Sequence, residues 1–327
     1  MAYLELPLDT TSRSSADTQP IVRPDLAQPR LRELKEPKLV QAGDAPNMPP
    51  QGLHELEIEM DEAHAAMWCY MRPSGPPSFT PSLLRDLIRL RRAINEHMQG
   101  RIPGEGLRYF VGASRLPGIY NLGGDLLHFV AMIRNADRAT LRAYAVDCCD
   151  VAYHMTAGFE APVLTIGLVQ GDALGGGFEG AMSFNILVAE RSAKMGLPEV
   201  LFNLFPGMGA MSLLSRKIGM TRAERMILSG KTYSAEDLYE MGVVDILAED
   251  GAGEAEVRKF IAGGKARYHL HHALCQARQR VSPITFEELC DVTEIWVDTA
   301  MLLDETSLRR MERLAQAQRR RVESLKD

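Results

Sequence analysis

Gly171-Asp172-Ala173-Leu174-Gly175-Gly176-Gly177-Phe178-Glu179-Gly180 is the stretch that decides the fold. It follows an apolar run, Pro162 to Val169, that reads as a buried strand, and it precedes a second strand expected over Asn185 to Ala189. Gly175, Gly177 and Gly180 match the G-x-G-x-x-G spacing of a dinucleotide-binding turn. The segment is too short for that role: it leaves about eight residues of helix, where a crossover between parallel strands takes about a dozen or more. Glu179 would also place a negative charge where a pyrophosphate should sit, at a helix start that favours anions. A glycine-built helix start can instead bring backbone N–H groups close to a ligand oxygen. Such donors stabilise a thioester enolate or a tetrahedral oxyanion, and losing one typically raises the barrier by roughly 3 to 4 kcal/mol. The competing explanation is a glycine turn that merely closes a tight corner.

A second turn of the same kind lies upstream, Asn121-Leu122-Gly123-Gly124-Asp125, after an expected strand and before an expected helix. Two such turns can each supply one N–H to a single carbonyl oxygen.

The bulk numbers narrow the class. The 327 residues are 46% hydrophobic and 24% charged, enough for a large core. A net charge of −6 argues against a general nucleic-acid binder. The cysteines, Cys69, Cys148, Cys149, Cys275 and Cys290, are odd in number and contain no C-x-x-C pair. That pattern fits reduced thiols in a cytoplasm and no zinc site. Met1 to Arg13 lacks the basic start and apolar core of a signal peptide. The most apolar run, Ala161 to Val169, is about half of what a membrane-spanning helix needs. We expect no cofactor.

Three regions follow from the patterning. Residues 1–52 are rich in Pro, Ser, Thr, Asp and Arg without apolar period, and read as a flexible or loosely packed arm. Residues 53–250 carry strands over Leu53 to Met71, a helix starting at Thr80-Pro81, a short strand over Gly106 to Gly112, and a long helical stretch from Asp125 to about Ala157. From about Pro206 the pattern is mostly helical, apart from a strand over Val243 to Leu247. Residues 251–327 read as helical throughout. The whole is an α/β class with a helical C-terminal layer.

At this point the chain resembles the crotonase (enoyl-CoA hydratase/isomerase) superfamily. The resemblance runs from about Leu53 to the end. It is carried by the two glycine turns, by Gly196-Leu197-Pro198-Glu199-Val200, by Phe205-Pro206-Gly207-Met208-Gly209, by Ile227-Leu228-Ser229-Gly230-Lys231 with Tyr233-Ser234-Ala235, and by Gly242-Val243-Val244-Asp245. It implies a spiral of ββα units with a helical C-terminal region, often a homotrimer. It maps the oxyanion N–H groups onto Gly124 and Gly176, and two acid/base carboxylates onto Glu179 and Glu199. Moving water across a double bond takes two proton transfers, which a carboxylate facing a carboxylic acid can perform. Either glutamate could be the base. Members that only shift a double bond often need one carboxylate.

Within the superfamily the chain looks most like the bacterial diffusible signal factor synthases. The carrying residues are Pro117 to Leu126 and the run Pro198-Glu199-Val200-Leu201-Phe202-Asn203-Leu204-Phe205-Pro206-Gly207-Met208-Gly209-Ala210. The resemblance implies dehydration of a 3-hydroxyacyl group on acyl carrier protein, then hydrolysis to a free cis-2-unsaturated acid used in quorum sensing. It implies an acyl pocket of Leu174, Met208, Trp296 and Leu314, and an inhibitory contact with a sensor kinase. A hydratase acting on CoA thioesters and a crotonase-fold regulatory binder are the alternatives. The arm at 1–52 is longer than the family pattern leads one to expect.

Other clusters weigh less. His269, His271 and His272 lack a matching metal-ligand set. Arg85, Arg89, Arg91 and Arg92, and Arg309, Arg310, Arg313 and Arg319 to Arg321, make basic faces. Such faces are usually solvated, though an acidic acyl carrier protein could dock on one. No G-x-S-x-G nucleophile elbow occurs.

Overall fold

The computed structural model describes residues 48–264 and 266–323. The expected N-terminal arm falls almost wholly outside them. The first strands are β1 (Leu56–Asp61) and β2 (Ala66–Met71), an antiparallel pair. Helix α1 (Pro81–Met98) starts as its sequence predicts: Pro81 takes the first turn and the Thr80 hydroxyl accepts from the Leu83 N–H at 3.2 Å.

From there strands come in pairs that part company. β3 (Tyr109–Ser114) and β4 (Gly118–Asn121) are followed by α2 (Leu126–Arg134) and α3 (Arg138–Thr156). β5 (Leu164–Val169) and β6 (Gly171–Leu174) are followed by α4 (Gly176–Met182). β7 (Ile186–Glu190) and β8 (Lys194–Gly196) lead through a 3-10 turn to α5 (Ala210–Ile218) and α6 (Met220–Ser229). The first strand of each pair joins one sheet, in the order β1-β2-β3-β5-β7-β10; the second joins another, in the order β4-β6-β8-β9. The repeated ββα step is the spiral that the motifs imply. β9 (Thr232–Ser234), α7 (Ala235–Glu240) and β10 (Ile246–Ala248) close the core, and α8 (Gly253–Gly264), α9 (Tyr268–Val281), α10 (Phe286–Ala300) and α11 (Glu305–Glu323) follow.

Three expectations shift. The single long helix over 125–157 is two helices, because Ala136 is left-handed (φ 53°) and Asp137 then caps α3 by accepting from the Thr140 N–H. The strand expected over Gly106 to Gly112 runs over Tyr109–Ser114 instead, and the one over Val243 to Leu247 begins only at Ile246. β6, β8 and β9 are three or four residues long, too short to show a period of two.

The register matters for function. In the second sheet Asn121 pairs with Ala173, and Leu174 pairs with Gly196. The carboxyl ends of β4, β6 and β8 therefore lie side by side. The chain segments that leave them carry Gly124, Gly176 and Glu199. No described helix is long and apolar enough to cross a membrane.

Candidate active site

The two glycine turns meet back to back. Gly123 is left-handed (φ 101°), and a Cβ there would stand 2.8 Å from the Leu174 carbonyl oxygen and 3.2 Å from the Gly176 nitrogen. A Cβ on Gly176 would stand 3.3 Å from the Gly124 nitrogen. Gly176 opens α4, so its N–H has no carbonyl four residues back to pair with. Among the described residues neither the Gly124 nor the Gly176 N–H donates to a protein acceptor. Two free N–H donors thus stand on adjacent turns, an arrangement able to hold one carbonyl oxygen.

Glu179 follows one turn into α4 and is 2% exposed. Its Oε1 accepts from the Met208 N–H and the Ala210 N–H, both at 2.9 Å. Burial pushes its carboxyl up to about 7, and the two amides, Ala210 before Met208, pull the other way. Glu199 sits in the 3-10 turn Pro198–Phe202, which ends on left-handed Asn203 (φ 59°). Its Oε2 is buried and has no hydrogen-bond partner among the described residues. Burial, and next the charge of Glu179, hold its carboxyl well above the ordinary glutamate range. Gly175 (φ 53°) packs against it: a Cβ there would come within 2.5 Å of Glu199 Oε1.

Both glutamates line one cavity of about 30 Å³, room for roughly a single water. Gly124, Gly176, Met208 and Trp296 also line it. The structure thus gathers six of the eight residues that the sequence put forward. Leu174 and Leu314 do not line this cavity. Leu174 turns its carbonyl to Gly123, and Leu314 packs behind, against the apolar cluster that contains Met208 and Trp296.

Most of the supports come from far along the chain, where no local signal marks them. The Tyr144 hydroxyl donates to the Phe79 carbonyl and accepts from the Asp125 N–H at 3.3 Å, clamping the first glycine turn. Asn121 Oδ1 accepts from the Gly123 N–H at 2.8 Å. Thr293 on α10 donates to the Gly207 carbonyl at 2.7 Å, and the Trp296 ring fills the space where Gly207 lacks a side chain. Helix α10 thereby holds the loop whose amides grip Glu179. From α11, Gln318 donates to the Leu122 carbonyl at 3.1 Å and Arg321 pairs with Asp172 at 2.6 Å, bracing the strands that feed both turns.

The enoyl-CoA hydratase/isomerase family model matches residues 113–262, a span that holds both glycine turns and both glutamates. Over that span the chain is similar to the enoyl-CoA hydratase/isomerase family. Over 191 residues it is 30% identical to the mitochondrial methylglutaconyl-CoA hydratase of Rattus norvegicus, covering 58% of this chain and 56% of that one. Over 143 residues it is 32% identical to a probable enoyl-CoA hydratase of Bacillus subtilis (strain 168), covering 44% and 53%. The chain spans about half the length of these curated relatives. Among solved structures, the enoyl-CoA hydratase from Bacillus halodurans superposes with a TM-score of 0.67 at 18% identity, over 81% of this chain and 100% of that one. Pseudomonas aeruginosa DspI superposes with a TM-score of 0.57 at 22% identity, over 75% and 95%. Both show the shared crotonase fold.

The remaining clusters have ordinary partners. The rings of His271 and His272 stack on Phe260 and Tyr268, and His269 meets the Tyr268 ring edge-on. No group of three or more His, Cys, Asp or Glu among the described residues is arranged to hold a metal. In the basic faces Arg89 donates to the Gly52 and Gln51 carbonyls and Arg91 pairs with Asp150 at 2.9 Å.

Proposed function

We propose that this chain moves water across the α,β double bond of an acyl thioester. The observation that carries the reading is the buried Glu179 and the half-buried Glu199, whose Oε2 is out of solvent, on one water-sized cavity beside two free glycine N–H groups. The thioester carbonyl accepts from the Gly124 and Gly176 N–H groups. The Glu179 carboxylate, stabilised by two amides, takes a proton from the water that adds to Cβ. The Glu199 carboxylic acid delivers its proton to Cα as the enolate collapses. In the reverse direction Glu199 takes the Cα proton and Glu179 protonates the departing hydroxyl. The electron pairs balance in both directions, and the protein ends each passage with one proton on the pair.

The run from Pro198 to Ala210 favours a narrower form of the same chemistry. In it a 3-hydroxyacyl group on acyl carrier protein loses water to give a cis-2 enoyl thioester, and water then attacks the thioester carbon. The tetrahedral oxyanion sits in the same hole, and the carrier thiol leaves with a proton. The product is a free unsaturated acid of the diffusible-signal class. Acidic carrier protein, homotrimer assembly and kinase contact belong to this form. Offering 3-hydroxyacyl-carrier protein and 3-hydroxyacyl-CoA separately, with products identified by mass spectrometry, distinguishes the two. The narrower form predicts a free cis-2 acid from the carrier-bound substrate. Turnover of CoA esters alone, without free acid, leaves a CoA hydratase. No turnover of either thioester refutes both.

A further inference from the structure

One of the two amides on Glu179 belongs to a peptide unit that α10 holds from its other side. Gly207 supplies the carbonyl of that unit and Met208 its N–H. The Thr293 hydroxyl donates to the Gly207 oxygen at 2.7 Å, and the Met208 N–H donates to Glu179 Oε1 at 2.9 Å. A peptide group is planar, so fixing its carbonyl fixes the direction of its N–H. A donor on the carbonyl also polarises the unit and strengthens its N–H as a donor. Trp296 pins the same unit from the side: a Cβ on Gly207 would stand 2.2 Å from the indole ring.

The line of hydrogen bonds begins one residue further back. Cys149 Sγ on α3 lies 3.0 Å from Thr293 Oγ1. A hydroxyl has one proton, and the Gly207 carbonyl can only accept, so the thiol is left as the donor to Thr293. Burial pushes that thiol up to about 12, which keeps its proton in place. Cys149 is 0% and Thr293 1% exposed, so no solvent competes along the line. Three hydrogen bonds thus run from α3 through α10 to Glu179, each donor aimed towards the carboxylate, and bonds in series polarise one another. The other titratable groups set against Glu179 are Glu199 on the 3-10 turn and Cys148 on α3, whose thiol burial holds well above its ordinary range. The first turn of α5 and strands β4 and β5 bring no charge, and Asp172 on β6 is paired with Arg321.

We propose that Thr293 is a positioning residue: through the Gly207–Met208 peptide it holds an N–H on Glu179 and favours the carboxylate there. The proposal rests on the hydration reading for its effect on turnover, because in that reading the Glu179 carboxylate activates water. Thr293 does not line the glutamate cavity, so it acts only through the peptide. Thr293→Val removes the hydroxyl at nearly constant volume and leaves the Gly207 carbonyl without this donor, whereas Thr293→Ser keeps the hydroxyl. The Ala210 N–H still reaches Glu179 in both variants, so the expected change is a displaced titration and not a lost one.

The test follows the Glu179 carboxyl by carbon nuclear magnetic resonance in protein isotopically labelled at its glutamate side-chain carboxyls, with Glu179→Gln identifying the signal. The pH profile of kcat/KM for hydration of an enoyl-CoA thioester is measured in parallel. In Thr293→Val the apparent midpoint of Glu179 should lie about half a unit to one unit above wild type, the size of one hydrogen bond's effect. The acid limb of kcat/KM should move up equally, which is about a three- to tenfold loss on that limb, carried by kcat with KM unchanged. Thr293→Ser should return both readings to wild type. Equal titration of Glu179 in wild type and Thr293→Val overturns the proposal, and so does a displacement in Thr293→Ser as large as in Thr293→Val. If Thr293→Val does not fold, Thr293→Ala takes its place with the same expectation. If the wild-type protein hydrates no thioester, the hydration reading fails by itself, and the carboxyl titration still decides for or against Thr293.

Discussion

Glu179 and Glu199 reach one cavity from two differently built supports. Glu179 stands on a helix, and its Oε1 takes two backbone N–H donors. Glu199 stands on a 3-10 turn, and its Oε2 is buried with no partner among the described residues. Burial raises both carboxyls, but the donors favour the anion of Glu179 while the charge of Glu179 disfavours the anion of Glu199. The surroundings of two identical side chains thus favour the carboxylate more at Glu179 than at Glu199. In the hydration proposed above, the carboxylate of Glu179 would activate water and the acid of Glu199 would protonate Cα. The pair titrates as a unit, so its two apparent pKa values belong to the site.

The division can be broken most severely by making either partner unable to exchange its proton. Glu179→Gln and Glu199→Gln should each lower kcat by about 10² to 10⁴, the usual weight of a positioned acid or base. Steady-state turnover of an enoyl thioester measures this, and wild-type rates in either variant would contradict the acid and base roles. The pH dependence sharpens the comparison. The kcat/KM for hydration should rise about tenfold per pH unit below about 7, where Glu179 loses its proton, and fall at higher pH once Glu199 ionises as well. Gly175→Ala tests the second support. It forces a Cβ against Glu199 Oε1 at a left-handed backbone position, and should reduce kcat by roughly tenfold with about 1–2 kcal/mol of lost stability.

The smallest effect is on stability itself. The Glu199 carboxyl is raised in the folded protein, so its protonation supports the fold fully below about 4.5, where the free side chain ionises. That support is lost as pH rises towards the folded value. Thermal melts should therefore show Glu199→Gln gaining on wild type between pH 5 and pH 8. Below about 4.5 the two should keep a constant difference.

Much of this site was legible because it is local. The glycine turns, Glu179 and Glu199 each lie within a few residues of a strand end, and the family resemblance that the motifs carry implies that they meet. The paired strands were legible only where they are long: β5 shows as an apolar run, whereas β8 is three residues, Lys194–Gly196. The break between α2 and α3 was hidden because Ala136 adopts a conformation that alanine rarely takes. The bracing was illegible for another reason. Tyr144 meets Phe79 across 65 residues, and Gln318 meets Leu122 across 196, so nothing near either residue announces the contact. Leu174 and Leu314 do not line the glutamate cavity, whose wall includes Leu126, Phe129 and Phe202.

Proton exchange between the two glutamates and an acyl thioester is tested most directly by running the reaction in deuterium oxide. Nuclear magnetic resonance then locates the label in the 3-hydroxyacyl thioester. The wild-type protein should place one deuterium at Cα, and both glutamine variants should lose that incorporation. Deuterium at Cα at the wild-type rate in both variants would contradict a proton route through Glu179 and Glu199.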